Sequence, residues 1–187
     1  MNPLNYRLRL NTRSFILGSS GGVSLRFDFV APTRSAPEIL VRHRAGNTQV
    51  RHNGARWNVP TRDTSVVPQT DALGDHIQQL ANQHASNFRF RPTARQRETL
   101  ARLQREGVNT YGVRARWAGQ AKGRYVDSMV KADLATSHPH LQFNARGVDI
   151  VDPTTGIGYD TMFGSVKNVH EHAMRMPDVL FRYIEFR

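Results

Sequence analysis

The sequence predicts an α+β (mixed α/β) fold, with a β-rich N-terminal extension and a C-terminal core of helix, three strands, helix and strand. Two observations support this class. Short segments with alternating apolar residues dominate the first 67 positions, and from residue 119 helical and strand periodicities follow one another in the order of that core. The 187 residues are enough to bury a sizeable core. We therefore expect three regions: an extension (1–70), a helical Arg-rich connection (71–118) and the core (119–187).

The N-terminal extension has the pattern of short strands and turns. Alternation over 6–10 and 23–29 predicts two strands, with a glycine-rich turn at 18–22 between them. The pair Asn53-Gly54 lies between the apolar segments 48–50 and 57–59, and this pair is typical of a tight hairpin.

Two helices are predicted in the connection. Apolar residues recur at helical spacing over 71–85, and Thr93-Ala94-Arg95-Gln96 fits a capping box at the start of a helix over 93–107. The second helix carries a basic face beside a narrow apolar stripe; that face consists of Arg95, Arg97, Arg102 and Arg105.

The core begins with a predicted helix over 120–135, followed by strands over 141–144, 147–151 and 157–163. The turn 152–156 joins the last two strands, and Asp152 before Pro153 is interpreted as a turn former. A helix with Ser165 as its N-cap and a strand over 179–186 complete the predicted order.

The charge of the chain is strongly positive. Lys and Arg number 26 against 15 Asp and Glu, a net charge of +11, and only three of the basic residues are lysines. Residues 89–124 hold ten basic and two acidic residues. This balance favours an anionic partner, nucleic acid before membrane.

Cysteine is absent, so any metal must be held by oxygen or imidazole ligands. Neither a signal peptide nor an apolar run of about 18 residues is present. We expect a soluble chain, which as the passenger of a larger exported protein needs no targeting signal of its own.

Asp149 and Asp160 are the candidate metal ligands. They lie in the second and third predicted core strands with ten residues between them, and a hairpin would bring both carboxylates to one end of the sheet. A carboxylate in a short apolar strand is costly without a partner. Oxygen ligands of this kind suit Mg²⁺ or Mn²⁺, which can activate water against a phosphodiester.

This arrangement resembles the PD-(D/E)xK nuclease superfamily, which has the restriction-endonuclease-like fold. Val148-Asp149 matches "PD", and Asp160-Thr161-Met162 stands where "(D/E)xK" is expected, with Met162 in place of the lysine. In some members that lysine has moved to the neighbouring helix, and the resemblance then assigns its role to Lys167. It also implies an acidic residue on the first core helix, with Asp127 as the best match and Asp133 as the fallback.

More narrowly, about 70 residues look like the C-terminal nuclease toxins of contact-dependent inhibition, Rhs and type VI secretion effectors. The residues that carry this likeness include 147–149, 152–156, Tyr159-Asp160, Gly164-Ser165, Asn168, His172 and 181–186. The resemblance implies delivery into the cytoplasm of a target bacterium and neutralisation by an immunity protein, which we expect to present an acidic face.

The leading hypothesis is a metal-dependent nuclease that cleaves DNA or tRNA with Mg²⁺ or Mn²⁺. Its predicted catalytic residues are Asp127, Asp149, Asp160 and Lys167. Its predicted substrate contacts are Ser165, His170, Arg116, Lys122 and Arg124. Ser165 is included because a helix N-terminus favours anions.

Two other hypotheses remain open at this point. One is a metal-independent RNase that uses His170 or His172 with Lys167 as acid and base. The other is a basic nucleic-acid-binding or structural module whose aspartates only pair with arginines. The choice between DNA and RNA, the oligomeric state and the role of residues 1–70 also stay open.

Overall fold

A computed structural model of the chain describes residues 36–144, 146–163 and 166–186. The predicted strands at 6–10 and 23–29, the turn at 18–22 and the predicted roles of Ser165 lie outside those residues. Within them, helices and a seven-stranded mixed sheet confirm the predicted α+β class. No described helix combines the length and the apolar character needed to cross a bilayer.

The elements follow one another in this order: β1 (Glu38–Arg42), β2 (Thr48–His52), β3 (Ala55–Val59), a 3₁₀ helix (Thr64–Val66), α1 (Ala72–Asn87), α2 (Ala94–Arg105), α3 (Tyr111–Ser137), β4 (Gln142–Phe143), β5 (Ile150–Asp152), β6 (Ile157–Phe163), α4 (Val166–Arg175) and β7 (Phe181–Phe186). The run from α3 to β7 has the helix, three strands, helix and strand that the sequence predicts for the core.

The strands form one sheet in the order β1-β2-β3-β7-β6-β5-β4. Neighbours are antiparallel except β6 and β7, which are parallel because α4 carries the chain back along the sheet between them. Since β3 pairs with β7, the strands of the predicted extension continue the sheet of the core. The boundary predicted at residue 118 falls inside α3, and all the described residues belong to one compact unit.

Local signals account for several element ends. Thr93 and Gln96 form the predicted capping box of α2, and the side chain of Asp71 caps α1 by accepting from Gly74 N at 2.9 Å. The predicted hairpin turn is present, with φ of +48° at Asn53 and +80° at Gly54. Helix α3 begins nine residues before the predicted start at 120.

Helices pack on both faces of the sheet. Helices α1 and α3 cover one face around an apolar cluster that includes Ile77, Ala81, Val126, Val130, Leu134, Ile150, Tyr159 and Ile184. Helix α4 lies on the other face, with Met162, Val169, Phe181 and Tyr183. Alternation along β6 therefore directs Tyr159 and Thr161 towards α3, and Asp160 and Met162 towards α4.

Candidate functional site

The candidate site lies where β5 and β6 separate. The two strands pair from Ile150 to Asp152 of β5, so Asp149 precedes the paired stretch. Its carboxylate, and not a carbonyl group of β5, accepts the main-chain hydrogen bond of Thr161 in β6. Asp149 Oδ2 accepts from Thr161 N at 2.9 Å and from Thr161 Oγ1 at 2.7 Å. Asn144 holds the preceding loop by donating from Nδ2 to Val148 O at 3.1 Å. These bonds fix the Asp149 side chain at the edge of β6.

Helix α3 brings a second carboxylate and an ammonium group to Asp149. Lys131 Nζ lies 2.9 Å from Asp127 Oδ1 and 3.6 Å from Asp149 Oδ1, and it also donates to Asn144 O at 3.2 Å. Asp127 and Lys131 are four residues apart and so share one face of the helix. Thr161 Oγ1 is also 3.1 Å from Asp127 Oδ1. The structure thus joins Asp127, Lys131, Asp149 and Thr161 in one hydrogen-bonded cluster, which we call the acid–lysine cluster.

The protonation of Asp149 is strongly perturbed. Burial raises the pKa of its carboxyl to about 6, the charges of Asp160 and Asp127 add to that rise, and Thr161 and Lys131 oppose it. A carboxylate that exchanges its proton near neutral pH is typical of a reactive site.

Asp160 is held on the other side of β6. It is 1% exposed and its Oδ2 lies 2.5 Å from Nδ1 of His172 on α4. This hydrogen bond is the main reason why the pKa of the His172 imidazole is raised. Asp149 and Asp160, predicted to bind one metal together, therefore have different partners, and the charge of Asp160 acts on the pKa of Asp149.

Lys167 does not take the position that the resemblance implies. Its side chain is 82% exposed and its Nζ lies 3.7 Å from Glu171 on the same helix, whereas the lysine beside Asp149 is Lys131. Among the candidate acids of α3, the fallback Asp133 is bonded to His84 at 2.8 Å, and the residue in the cluster is Asp127.

The predicted substrate contacts are spread over two elements. Arg116 and Arg124 are exposed on α3, and Lys122 Nζ lies 5.4 Å from the centre of the Phe163 ring. His170 is exposed on α4 with its ring 5.1 Å from that of His43. The α3 residues lie on the helix that carries Asp127 and Lys131.

Sequence reasoning missed Lys131 and Thr161. A signal for Lys131 was available, because it stands four residues after Asp127 in the predicted helix. Thr161 carried a weaker signal. In a strand it must point away from the face that Asp160 and Met162 share, and so towards the helix on the other side.

Asp152, by contrast, has its predicted role, since it accepts from Thr154 N at 2.9 Å and from Thr155 Oγ1 at 2.8 Å within the turn.

The acid–lysine cluster contains two carboxylates, a residue type that binds divalent cations. Two carboxylates converge on one ammonium group, and Mg²⁺ is commonly held by one or two carboxylates together with water and phosphate oxygens. No group of three or more His, Asp and Glu side chains in the described part of the chain is arranged to hold a metal. Asp127 and Asp149 are the carboxylates of the cluster that could hold Mg²⁺ or Mn²⁺, whereas Asp160, the other predicted ligand, is bonded to His172 on the opposite side of β6.

Comparison of the chain with protein-family models, curated proteins and solved structures found no match. The fold and the cluster define an α+β protein with two carboxylates and a lysine where β5 and β6 separate.

Proposed function

We propose that this chain is a metal-dependent nuclease that hydrolyses phosphodiester bonds of DNA or tRNA. The observation that carries the proposal is the contact between a carboxyl group of raised pKa, Asp149, a second carboxylate, Asp127, and the ammonium group of Lys131. Phosphodiester hydrolysis needs an activated water molecule and positive charge near the phosphoryl oxygens. These three side chains supply groups for both tasks.

Each residue of the cluster has its own role in this proposal. Asp149 and Asp127 would hold the metal ion, which would supply Lewis-acid polarisation of the phosphoryl group and a more acidic water. Lys131 donates to a phosphoryl oxygen or orients the attacking water. Thr161 keeps the Asp149 carboxylate in one orientation through two hydrogen bonds. Asp160 is a positioning residue whose charge raises the pKa of Asp149.

The basic segment 89–124 supports a nucleic-acid substrate. Its ten basic residues lie on α2, on the first half of α3 and before α2, and Arg116, Lys122 and Arg124 belong to the helix of the acid–lysine cluster. Phosphate contacts of this kind position a nucleic acid without reading its sequence. As an antibacterial toxin, the protein would act in the cytoplasm of a target cell, and an immunity protein with an acidic face would bind it.

A second candidate function is a metal-independent RNase. The observation that favours it is the hydrogen bond between buried Asp160 and His172, since a carboxylate that holds one ring nitrogen orients an imidazole for acid–base catalysis. In this case His172, and not Asp149, carries the reaction.

Cleavage of plasmid DNA and total tRNA with Mg²⁺ or EDTA tests both candidates. We expect cleavage that requires Mg²⁺, is abolished in Asp149→Ala and falls by about 10²–10³-fold in Lys131→Gln, as for loss of one transition-state donor. Lys167→Gln is the matched control and should keep activity within about threefold of the wild type.

Equal activity of Lys131→Gln and the wild type would contradict the role of the cluster. Cleavage that persists in EDTA and is lost in His172→Ala would establish the metal-independent mechanism instead.

A further inference from the structure

An exposed phenylalanine lies beside the acid–lysine cluster at the end of β6. Phe163 is 39% exposed, whereas Phe181 and Phe186 in the neighbouring strand β7 are 0% and 3% exposed. Side chains two positions apart in a strand share a face, so the Phe163 ring follows Thr161 on the side of β6 that faces α3. The two positions are about 6–7 Å apart along the strand. Since Thr161 belongs to the cluster, the ring is the next side chain along this face.

Helix α3 leaves space for this ring. Gly119 and Gly123 precede Asp127 and Lys131 at a constant spacing of four residues, so the four positions form one row on the helix surface. A Cβ at Gly119 would lie 3.0 Å from Cε1 of Phe163, and a Cβ at Gly123 would lie 3.9 Å from the Phe163 Cβ. The two glycines therefore let the ring pack against the helix in the same row that carries the charged residues of the cluster.

The surface around the ring is positively charged. Helix α3 has no acidic residue before Asp127, and it has four basic residues there: Arg114, Arg116, Lys122 and Arg124. Lys122 Nζ lies 5.4 Å from the centre of the Phe163 ring. An exposed cation–π contact is weaker than the stacking of a nucleobase on an aromatic ring. A base can therefore replace the ammonium group on the ring, and the flexible Lys122 side chain can turn to a phosphate group.

We propose that Phe163 stacks on an unpaired nucleobase next to the phosphate that is cleaved, so that the substrate is a single strand or an unpaired loop. This inference rests on the proposed nuclease function, because it takes the acid–lysine cluster as the position of that phosphate. In a duplex each base is stacked between its neighbours, so an aromatic platform selects an unpaired strand. Every base has a π-face, so such stacking contributes affinity without a marked sequence preference.

Fluorescence anisotropy with a short labelled single-stranded DNA tests the proposal. The titration is done in EDTA, so that metal-dependent cleavage does not change the probe. We expect Phe163→Leu to bind the single strand about 5- to 50-fold more weakly than the wild type, because the stacking of one base is lost. Phe163→Tyr keeps the ring and should bind like the wild type. Single-stranded RNA of the same sequence should respond like the DNA, because stacking uses the base and not the sugar.

Two controls separate stacking from charge. The duplex of the same sequence is bound through its phosphates, so its affinity should change by less than about twofold in Phe163→Leu. Tyr111→Leu is the matched control variant, because Tyr111 is also an exposed aromatic residue of α3 but lies eight positions before Gly119. We expect its affinity for the single strand to stay within about twofold of the wild type.

If Phe163→Leu does not fold, Phe163→Trp provides a second measurement. Its added fluorescence should be quenched by the single strand and not by the duplex. Unchanged affinity of Phe163→Leu for the single strand, equal losses for single strand and duplex, or no quenching in Phe163→Trp would overturn the proposal. Because binding is measured, a chain that binds single strands through Phe163 and cleaves none would refute the nuclease function alone.

Discussion

At the residue scale, Asp149 links the acid–lysine cluster to the stability of the fold. Its pKa of about 6 lies above the ordinary value of 3.8, so the folded state favours the protonated form. The corresponding stability is present below pH 4 and is lost as the pH rises through about 6. An ionised Asp149 therefore destabilises the protein at neutral pH.

Asp149→Asn should raise the free energy of unfolding at pH 7.5 by about 1–3 kcal/mol, because a shift of one pKa unit corresponds to about 1.4 kcal/mol. Chemical denaturation at pH 7.5 and pH 4 measures this difference. The gain should be much smaller at pH 4, because Asp149 is protonated there in the folded state and partly protonated in the unfolded chain. If Asp149→Asn instead lowers the free energy of unfolding by the same amount at both pH values, the ionised carboxylate does not destabilise the folded state.

His172 has the same sign of pH dependence as Asp149, because its pKa is also raised in the fold. Its pKa is raised above 6.5 in the fold, mainly by the hydrogen bond to Asp160, so its contribution is fully present below pH 6.5 and is lost as the pH rises through the folded pKa. His172→Asn can still donate to Asp160 but carries no charge. We expect the wild type to exceed this variant in stability at pH 5.5, with a smaller difference at pH 9. Thermal unfolding at pH 5.5 and pH 9 measures this difference in stability. A difference that is the same at both pH values would argue against a charged imidazole in the folded state.

At the element scale, the start of α1 depends on Gly74. A Cβ at this position would collide with the side chain of Asp71 and lie 2.7 Å from Arg182 Nη1. Asp71 is the N-cap of α1 and the partner of Arg182 in an ion pair whose side chains are both 7% exposed. The glycine therefore permits the contact that ties α1 to β7.

Gly74→Ala should lower the free energy of unfolding by about 2–4 kcal/mol, through loss of the cap and disruption of the buried ion pair. Gly112→Ala is the matched control, because Gly112 is also helical and a Cβ there meets no atom within 4 Å. Gly112→Ala should leave the free energy of unfolding unchanged or raise it by up to about 1 kcal/mol, because alanine has the higher helix propensity. Urea denaturation compares the two, and equal effects would contradict a role for close approach at Gly74.

At the scale of the whole molecule, the positive charge of α2 should govern affinity for nucleic acid. Arg95, Arg102 and Arg105 are exposed on this helix. Their joint replacement by Gln should weaken binding and reduce the slope of log affinity against log salt by about two to three, since each phosphate contact contributes about 0.9.

Fluorescence anisotropy with a labelled duplex at several salt concentrations measures that slope. The matched control replaces three exposed arginines outside the basic segment, Arg42, Arg44 and Arg62, and leaves the same net charge. An equal loss in both variants would assign the effect to net charge alone and not to α2.

The order of the core elements was predictable from the sequence because each has a local signal. Strand β6 occupies its predicted range of 157–163, and the capping box, the Asn-Gly hairpin and the Asp152 turn are interactions between residues at most five positions apart. The continuation of the sheet from β3 to β7 was not predictable, because it joins residues more than 120 positions apart.

The sequence by itself determined the α+β class and the basic character of 89–124, and it singled out Asp149 as a candidate residue, since periodicity, composition and an acid among apolar residues are local properties. Only the tertiary structure decided the partners of that acid. The alternation of β6 directs Thr161 to α3 and Asp160 to α4, and the packing of α3 on that face brings Asp127 and Lys131 to Asp149. Lys131 therefore takes the role predicted for Lys167 in the proposed mechanism, because distance in space and not order along the chain selects the cation.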